Sequence, residues 1–189
     1  MKKTVAALAL AALAFPALAQ DIEALTADTK KTVLPVVPKV MAAMQEAVGQ
    51  KGVADAIPVC KDQAPKLIQE VRDATGWSIR RVTLKVRNPD RGTPDSWEEA
   101  TLKEMDQKLA SGAKPESLEK AEVVKEGDKS YFRYAKALPV ADVCVACHGA
   151  PESMDPKLKA KLSESYPHDK AVGYSRGDIR GILSVKRPL

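Results

Sequence analysis

Trp77-Ser78-Ile79-Arg80-Arg81-Val82-Thr83-Leu84-Lys85-Val86-Arg87 is where the chain changes period. Val82, Leu84 and Val86 alternate with Arg81, Thr83, Lys85 and Arg87, as in a strand with one buried face. Upstream the spacing is helical. From Asp21 to Gln50 the apolar positions include Leu25, Val33, Val36, Val37, Val40, Met44 and Val48, and Pro35 and Pro38 should kink or split the helix. Val53 to Thr75 is a second helical stretch. There Ala56, Val59, Cys60, Ala64, Leu67, Ile68 and Val71 recur at three and four to form one apolar stripe. Pro58 and Pro65 should break this stretch into pieces, and Gly76 should stop it.

Downstream, Asn88-Pro89-Asp90-Arg91-Gly92 reads as a loop. Ser96-Trp97-Glu98-Glu99 reads as a capping box opening a helix to about Ala110. Val123 to Lys125 and Tyr131 to Leu138 flank Glu126-Gly127-Asp128, a hairpin signal. Asp155-Pro156 reads as the N-cap and first residue of a helix to Ser165. Gly173 to Val185, with Gly177 and Gly181 inside it, closes the chain as turn and strand. Helices laid on an antiparallel sheet define an α+β fold.

Cys144-Val145-Ala146-Cys147-His148 follows the hairpin directly. This Cys-x-x-Cys-His run is the attachment pattern of haem c. Haem carries two vinyl groups, and each takes one thioether bond from a thiol. Two intervening residues let one turn reach both, and the His then meets the iron as proximal ligand. A thioredoxin-type pair does not need the trailing His. A zinc site would need a second ligand pair, and the sequence has no other Cys-x-x-Cys and no His-x-x-x-His.

The N-terminus fits an exported protein. Lys2-Lys3 precede an Ala/Leu-rich stretch from Val5 to Phe15, and Ala17-Leu18-Ala19 is a small-residue cleavage signal. Residues 1–19 are therefore expected to be a signal peptide cleaved after Ala19, leaving 20–189 as one haem domain in the periplasm. The apolar stretch is short for a membrane span, no Cys follows it to carry a lipid, and no later run is long enough to cross a bilayer. Removing 19 of the 189 residues leaves 170, enough for one domain with a real core. Without Lys2 and Lys3 the 30 basic residues become 28 against 25 acidic, a net charge of about +3. That balance is too weak to argue for a nucleic-acid partner. Aromatic residues make up only 4% of the chain, so a haem would form a large share of the apolar core.

Cys60 is left over once Cys144 and Cys147 hold the haem. Three readings stand: a small buried hydrophobe on the apolar stripe, half of an intermolecular disulfide, or the sixth ligand of the iron. The disulfide needs an exposed thiol, which the stripe argues against. As a ligand, a thiolate would stabilise ferric iron and lower the potential. The other donors are weaker. His168 sits among polar residues in Tyr166-Pro167-His168-Asp169. Met154 lies only six residues after His148, too near to round the haem edge. Met41, Met44 and Met105 sit at helical spacing among apolar residues.

Several segments together resemble the family of single-haem c-type proteins with a PAS-like fold, long catalogued as a domain of unknown function. They are Ala56-Ile57-Pro58-Val59-Cys60 with Ala64-Pro65, Thr75-Gly76-Trp77, Arg87-Asn88-Pro89 with Pro94-Asp95 and Trp97-Glu98, and Phe132-Arg133-Tyr134. Cys144 to Gly149, Tyr166-Pro167 with Asp169, and Gly173-Tyr174 with Gly177 to Gly181 complete the set. The resemblance implies a PAS-like antiparallel sheet flanked by helices, and ligation of the iron by His148 and Cys60. Arg87, Arg133 and Arg180 lie inside these segments and are candidate contacts to the haem propionates. Trp77, Trp97, Phe132 and Tyr134 are candidates for the haem face or for ordinary core.

With both axial positions filled, a substrate reaches iron only by displacing a ligand, which argues against an enzyme. Two classes follow. In a sensor module, reduction or a small gas such as NO or CO displaces Cys60, and a separate signalling protein reads the change. In a periplasmic electron carrier, a redox partner protein docks and exchanges electrons. The chain has no kinase, cyclase or methyl-accepting segment, which weighs toward the carrier, while PAS-like folds weigh by analogy toward the sensor.

Overall fold

The expected change of period holds, but the strand it announces is short. In the computed structural model, residues 14–189 are described, with side chains from Asp21 onward. The expected signal peptide, 1–19, thus lies outside the described residues except for the backbone of 14–19. That backbone belongs to helix α1, Ala14–Val33. Pro35 splits α1 from α2, Val36–Lys51. A 3-10 turn, Val53–Ala56, and a π-helical turn, Val59–Gln63, lead into α3, Ala64–Thr75. Gly76 ends α3 in the left-handed conformation (φ 70°) with its N–H on Arg72 O, the stop that the sequence signals.

Strand β1 covers only Ser78–Val82 rather than running to Arg87. At Thr83 the backbone N–H leaves the ladder for Gly92 O, 3.1 Å away, and Leu84 turns out to solvent. Alternation beyond Val82 therefore marks an irregular segment. Asn88–Gly92 is not a plain loop either, for Pro89–Gly92 form one helical turn, α4, capped by Asn88. The next capping box sits one residue earlier than the sequence pattern indicates. Asp95, not Ser96, caps α5, Ser96–Ala110, and its partner is Glu98. Strands β2, Glu119–Glu126, and β3, Lys129–Pro139, form the expected hairpin. After β3 come α6, Asp142–His148, and α7, Pro156–Ser165, the latter capped by Asp155 as expected. Strand β4, Ile179–Pro188, ends the fold.

The four strands form one antiparallel sheet in the order β1-β4-β3-β2, so the fold is α+β with an N-terminal helical segment. Each face has its own core. On one, Ile79, Phe132, Tyr134, Leu183 and Val185 pack with Val33 of α1, joined by Ile22, Leu25, Ile68 and Val71. On the other, Val82, Ala135, Ala137 and Ile182 pack under Leu102 and Met105 of α5. Phe132 and Tyr134 are fully buried in the first core, each stabilising the fold by about 1.5–3 kcal/mol. Gly181 lets β4 pass close to β1, since a Cβ there would lie 2.4 Å from Val82 O.

Arg133 is buried under α5 and stacks on Trp97, its guanidinium 4.4 Å from the ring. It pairs with Asp95 at 2.8 Å, Glu98 at 3.7 Å and Glu126 at 3.6 Å. Burial works against the Asp95 carboxylate. The Glu98 N–H and the Arg133 charge outweigh it and hold the Asp95 pKa below its usual value. The lowered pKa means that Asp95 stabilises the fold fully above about pH 3.8, and less as pH falls through its folded value. Asp95→Ala is expected to cost about 1–2 kcal/mol at pH 7 through the lost cap. In urea unfolding, the gap between wild type and variant should narrow as pH drops below about 3.8.

Candidate haem site

The seven-residue helix α6 carries the Cys-x-x-Cys-His run at one end of the sheet. Helical geometry puts Cys144, Cys147 and His148 on one side, since they are spaced by three and four. Val145 is left on the outer side, exposed. Gly149 ends the helix, its N–H 2.7 Å from Val145 O. A Cβ at Gly149 would stand 2.6 Å from that same oxygen, so only glycine fits there. The helix end is then clamped to a later loop by Tyr174 N–H to His148 O at 2.9 Å and Gly173 N–H to Gly149 O at 2.8 Å.

His148 is buried, and its Nδ1 lies 2.7 Å from Ala171 O. A carbonyl only accepts, so Nδ1 carries the hydrogen and Nε2 keeps its lone pair. Burial, with Arg180, Arg87 and Arg81 nearby, pushes the His148 pKa down to about 2, so the imidazole is neutral and ready to ligate. Arg180 Nε lies 3.2 Å from Nδ1 and 3.3 Å from Nε2. A partner in line with the Nε2 lone pair would be much nearer Nε2 than Nδ1. Arg180 therefore stands beside the ring, and the axial direction from Nε2 is not where its Nε sits.

Arg87 braces the site. Its Nη2 donates to Cys147 O at 2.6 Å and pairs with Asp169 at 2.8 Å, while its guanidinium lies over Tyr166, 5.6 Å from the ring centroid. Asp169 in turn accepts the Ala171 N–H at 2.8 Å, which fixes the carbonyl that His148 uses. The Nε of Arg87 is buried with no partner.

Cys60 corrects one expectation. It is exposed rather than buried on the apolar stripe. The cause is the π-helical turn Val59–Gln63, closed by Ala64 N–H on Val59 O. Its wider winding rotates the chain relative to an α-helix, so spacing of three and four no longer defines one face. Val59 stays inside and Cys60 swings out. Protein still crowds the thiol enough for desolvation to raise its pKa, against the charges of Arg81, Arg87 and Arg180. Cys144 lies near enough to raise it too, and burial together with Cys60 and Cys144 pushes Cys147 up to about 11. Cys147 also packs against the cluster of Ile57, Leu158, Leu162 and Tyr166.

Other candidates fall away. Arg133 is committed to its carboxylates under α5 rather than to a propionate. Phe132 and Tyr134 belong to the sheet core, Trp97 to Arg133, and Trp77 to Arg187. The aromatic ring beside His148 is Tyr174, edge-on at 6.2 Å. His168 is exposed in its loop. Nothing in the sequence marks Tyr166, Asp169 or Tyr174 as site residues beyond their place in the segments that carry the family resemblance. Thr83 and Ala171 gave no signal.

The donor set suits a c-type haem. Two thiols and an imidazole with a spare lone pair share one side of a turn, and Cys147 packs with the cluster of Ile57, in the segment that leads into Cys60. Arg87 Nε lacks a partner, and Arg180 is buried with no carboxylate paired to it among the described residues. Both suit an anionic group such as a propionate.

The chain belongs to the Tll0287-like family, whose model matches residues 12–188. Among solved structures it is similar to the crystal structure of the cyanobacterial heme-protein Tll0287, with a TM-score of 0.68 and 24% identity. That similarity covers 86% of this chain and 94% of the other. No curated protein sequence matches.

Gly149→Ala is expected to destabilise the fold by about 1–3 kcal/mol, because the added methyl must displace the Val145 carbonyl. Thermal unfolding of the two proteins measures it.

Proposed function

We propose that this chain is a periplasmic mono-haem c-type protein whose redox-active iron takes His148 and Cys60 as axial ligands. Bound haem would supply reversible one-electron chemistry. Cys144 and Cys147 would hold it by thioethers, His148 would present Nε2, and Arg87 would meet a propionate through its unpaired Nε. The observation that carries this reading is that Cys147 of the attachment turn packs with the cluster containing Ile57, in the segment that leads into Cys60. The family membership and the heme-protein described for Tll0287 support it.

The role we assign is a redox or small-gas sensor module acting through a separate signalling protein. Cys60 sits on a π-helical turn, a rare geometry that occurs frequently at functional sites. A neutral thiol binds ferrous iron weakly. Reduction, or a gas such as NO or CO, would release Cys60 and free the π-helical turn to change its winding. One observation favours a second reading, a soluble electron carrier. Val145 is exposed on the attachment turn, a small apolar spot where a redox partner protein would dock. No helix among the described residues is long and apolar enough to cross a membrane.

Cys60→Ala is expected to change the Soret and near-ultraviolet absorption of the ferric protein. An unchanged spectrum would rule Cys60 out as a ligand. Carbon monoxide added to the reduced protein separates the two roles. Rapid, tight binding marks the sensor, and a low-spin spectrum that stays closed in both redox states marks the carrier.

A further inference from the structure

Two arginines are buried in this fold, and they are treated differently. Arg133 has Asp95, Glu98 and Glu126 around it, as a buried charge requires. Arg180 is only 4% exposed and has no carboxylate partner among the described residues. Its Nη1 donates to Thr83 Oγ1 at 3.1 Å. Its guanidinium lies over Tyr174, 5.4 Å from the ring centroid, and its Nε stands beside the His148 ring. Thr83 and Tyr174 are themselves within reach of each other, 3.4 Å between their hydroxyls. Thr83 is held in turn by leaving the β1 ladder for Gly92. The short strand thus serves to turn the Thr83 hydroxyl inward.

We propose that Thr83 and Tyr174 are positioning residues that hold the charge of Arg180 beside His148, where it raises the reduction potential of an iron bound at Nε2. The inference rests on the haem reading above and adds residues and a sign to it. Reduction of ferric to ferrous iron adds one electron and removes one positive charge from the site. A fixed cation nearby therefore favours the reduced form, more so where water is excluded. A thiolate ligand pulls the other way, so Arg180 offsets part of what Cys60 imposes. The propionate role suits Arg87 better, since Arg180 has turned its Nε to the imidazole and its Nη1 to Thr83.

The test is a potentiometric titration of the purified holoprotein with mediator dyes and dithionite, read from the haem spectrum. Thr83→Val keeps shape but removes the hydroxyl, and Arg180→Gln removes the charge. Both are expected to lower the midpoint, changing the ferric-to-ferrous ratio at fixed potential on the order of tenfold, about 59 mV for one electron. Thr83→Ser and Arg180→Lys should recover most of the shift. Because Thr83 acts through Arg180, the double variant should shift no further than Arg180→Gln alone. A merely structural role for Thr83 would not give that non-additivity. The proposal is overturned if Thr83→Val carries normal haem and keeps the wild-type midpoint, or if the two shifts add. Should Thr83→Val not fold, Arg180→Gln against Arg180→Lys decides: equal midpoints overturn it. Wild-type protein that takes up no haem in its folded state would instead overturn the haem reading, and this proposal with it.

Discussion

The hydrogen bond from His148 Nδ1 to Ala171 O, 2.7 Å long, is the contact on which the site depends. It sets the tautomer, leaves Nε2 as a donor, and fixes the ring plane. Nothing local to α6 supplies it. The carbonyl belongs to a loop 23 residues later, and that loop is held in place by Asp169, by Arg87 and by the backbone pairs at Gly149 and Tyr174. Arg87 follows the short strand β1 in the chain, and the loop runs on into β4. Two adjacent strands therefore deliver the bracing residue and the carbonyl to the same imidazole.

The fold was largely legible because its elements carry unambiguous local signals. Pro35, Gly76, Asp155-Pro156 and the Gly127 turn each do what their backbone preferences dictate. The misses share a cause. Beyond Val82 the residues still alternate, but Thr83 finds a better partner in Gly92 O than in the ladder, and pattern alone does not reveal a long-range hydrogen bond. Asp95 outcompeted Ser96 as cap because Arg133 also stabilises its carboxylate, a contact made across 38 residues.

The site divides in the same way. Cys144, Cys147 and His148 were readable because covalent geometry fixes their spacing within one turn. Cys60 was readable as a residue to explain, but its placement was not. Periodicity assumes an α-helix, and the π-helical turn rotates Cys60 off the stripe. Among the arginines, sequence could not separate Arg133, committed to three carboxylates, from Arg87 and Arg180, which face His148. That difference comes from partners brought in from elsewhere in the chain: Asp95, Glu98 and Glu126 for Arg133, against the Cys147 carbonyl and Asp169 for Arg87 and the Thr83 hydroxyl for Arg180. The same burial that neutralises His148 leaves Arg180 with the Thr83 hydroxyl and the Tyr174 ring as its direct contacts and, among the described residues, no paired carboxylate. A redox centre built there would feel that charge directly.

Under the proposed ligation, His148 and Cys60 would both hold one iron. X-ray absorption at the iron edge of the ferric protein tests it most directly. One sulfur scatterer in the first coordination shell alongside nitrogen, lost in Cys60→Ala, is the expected result. A shell of nitrogen and oxygen alone in the wild-type protein would contradict it.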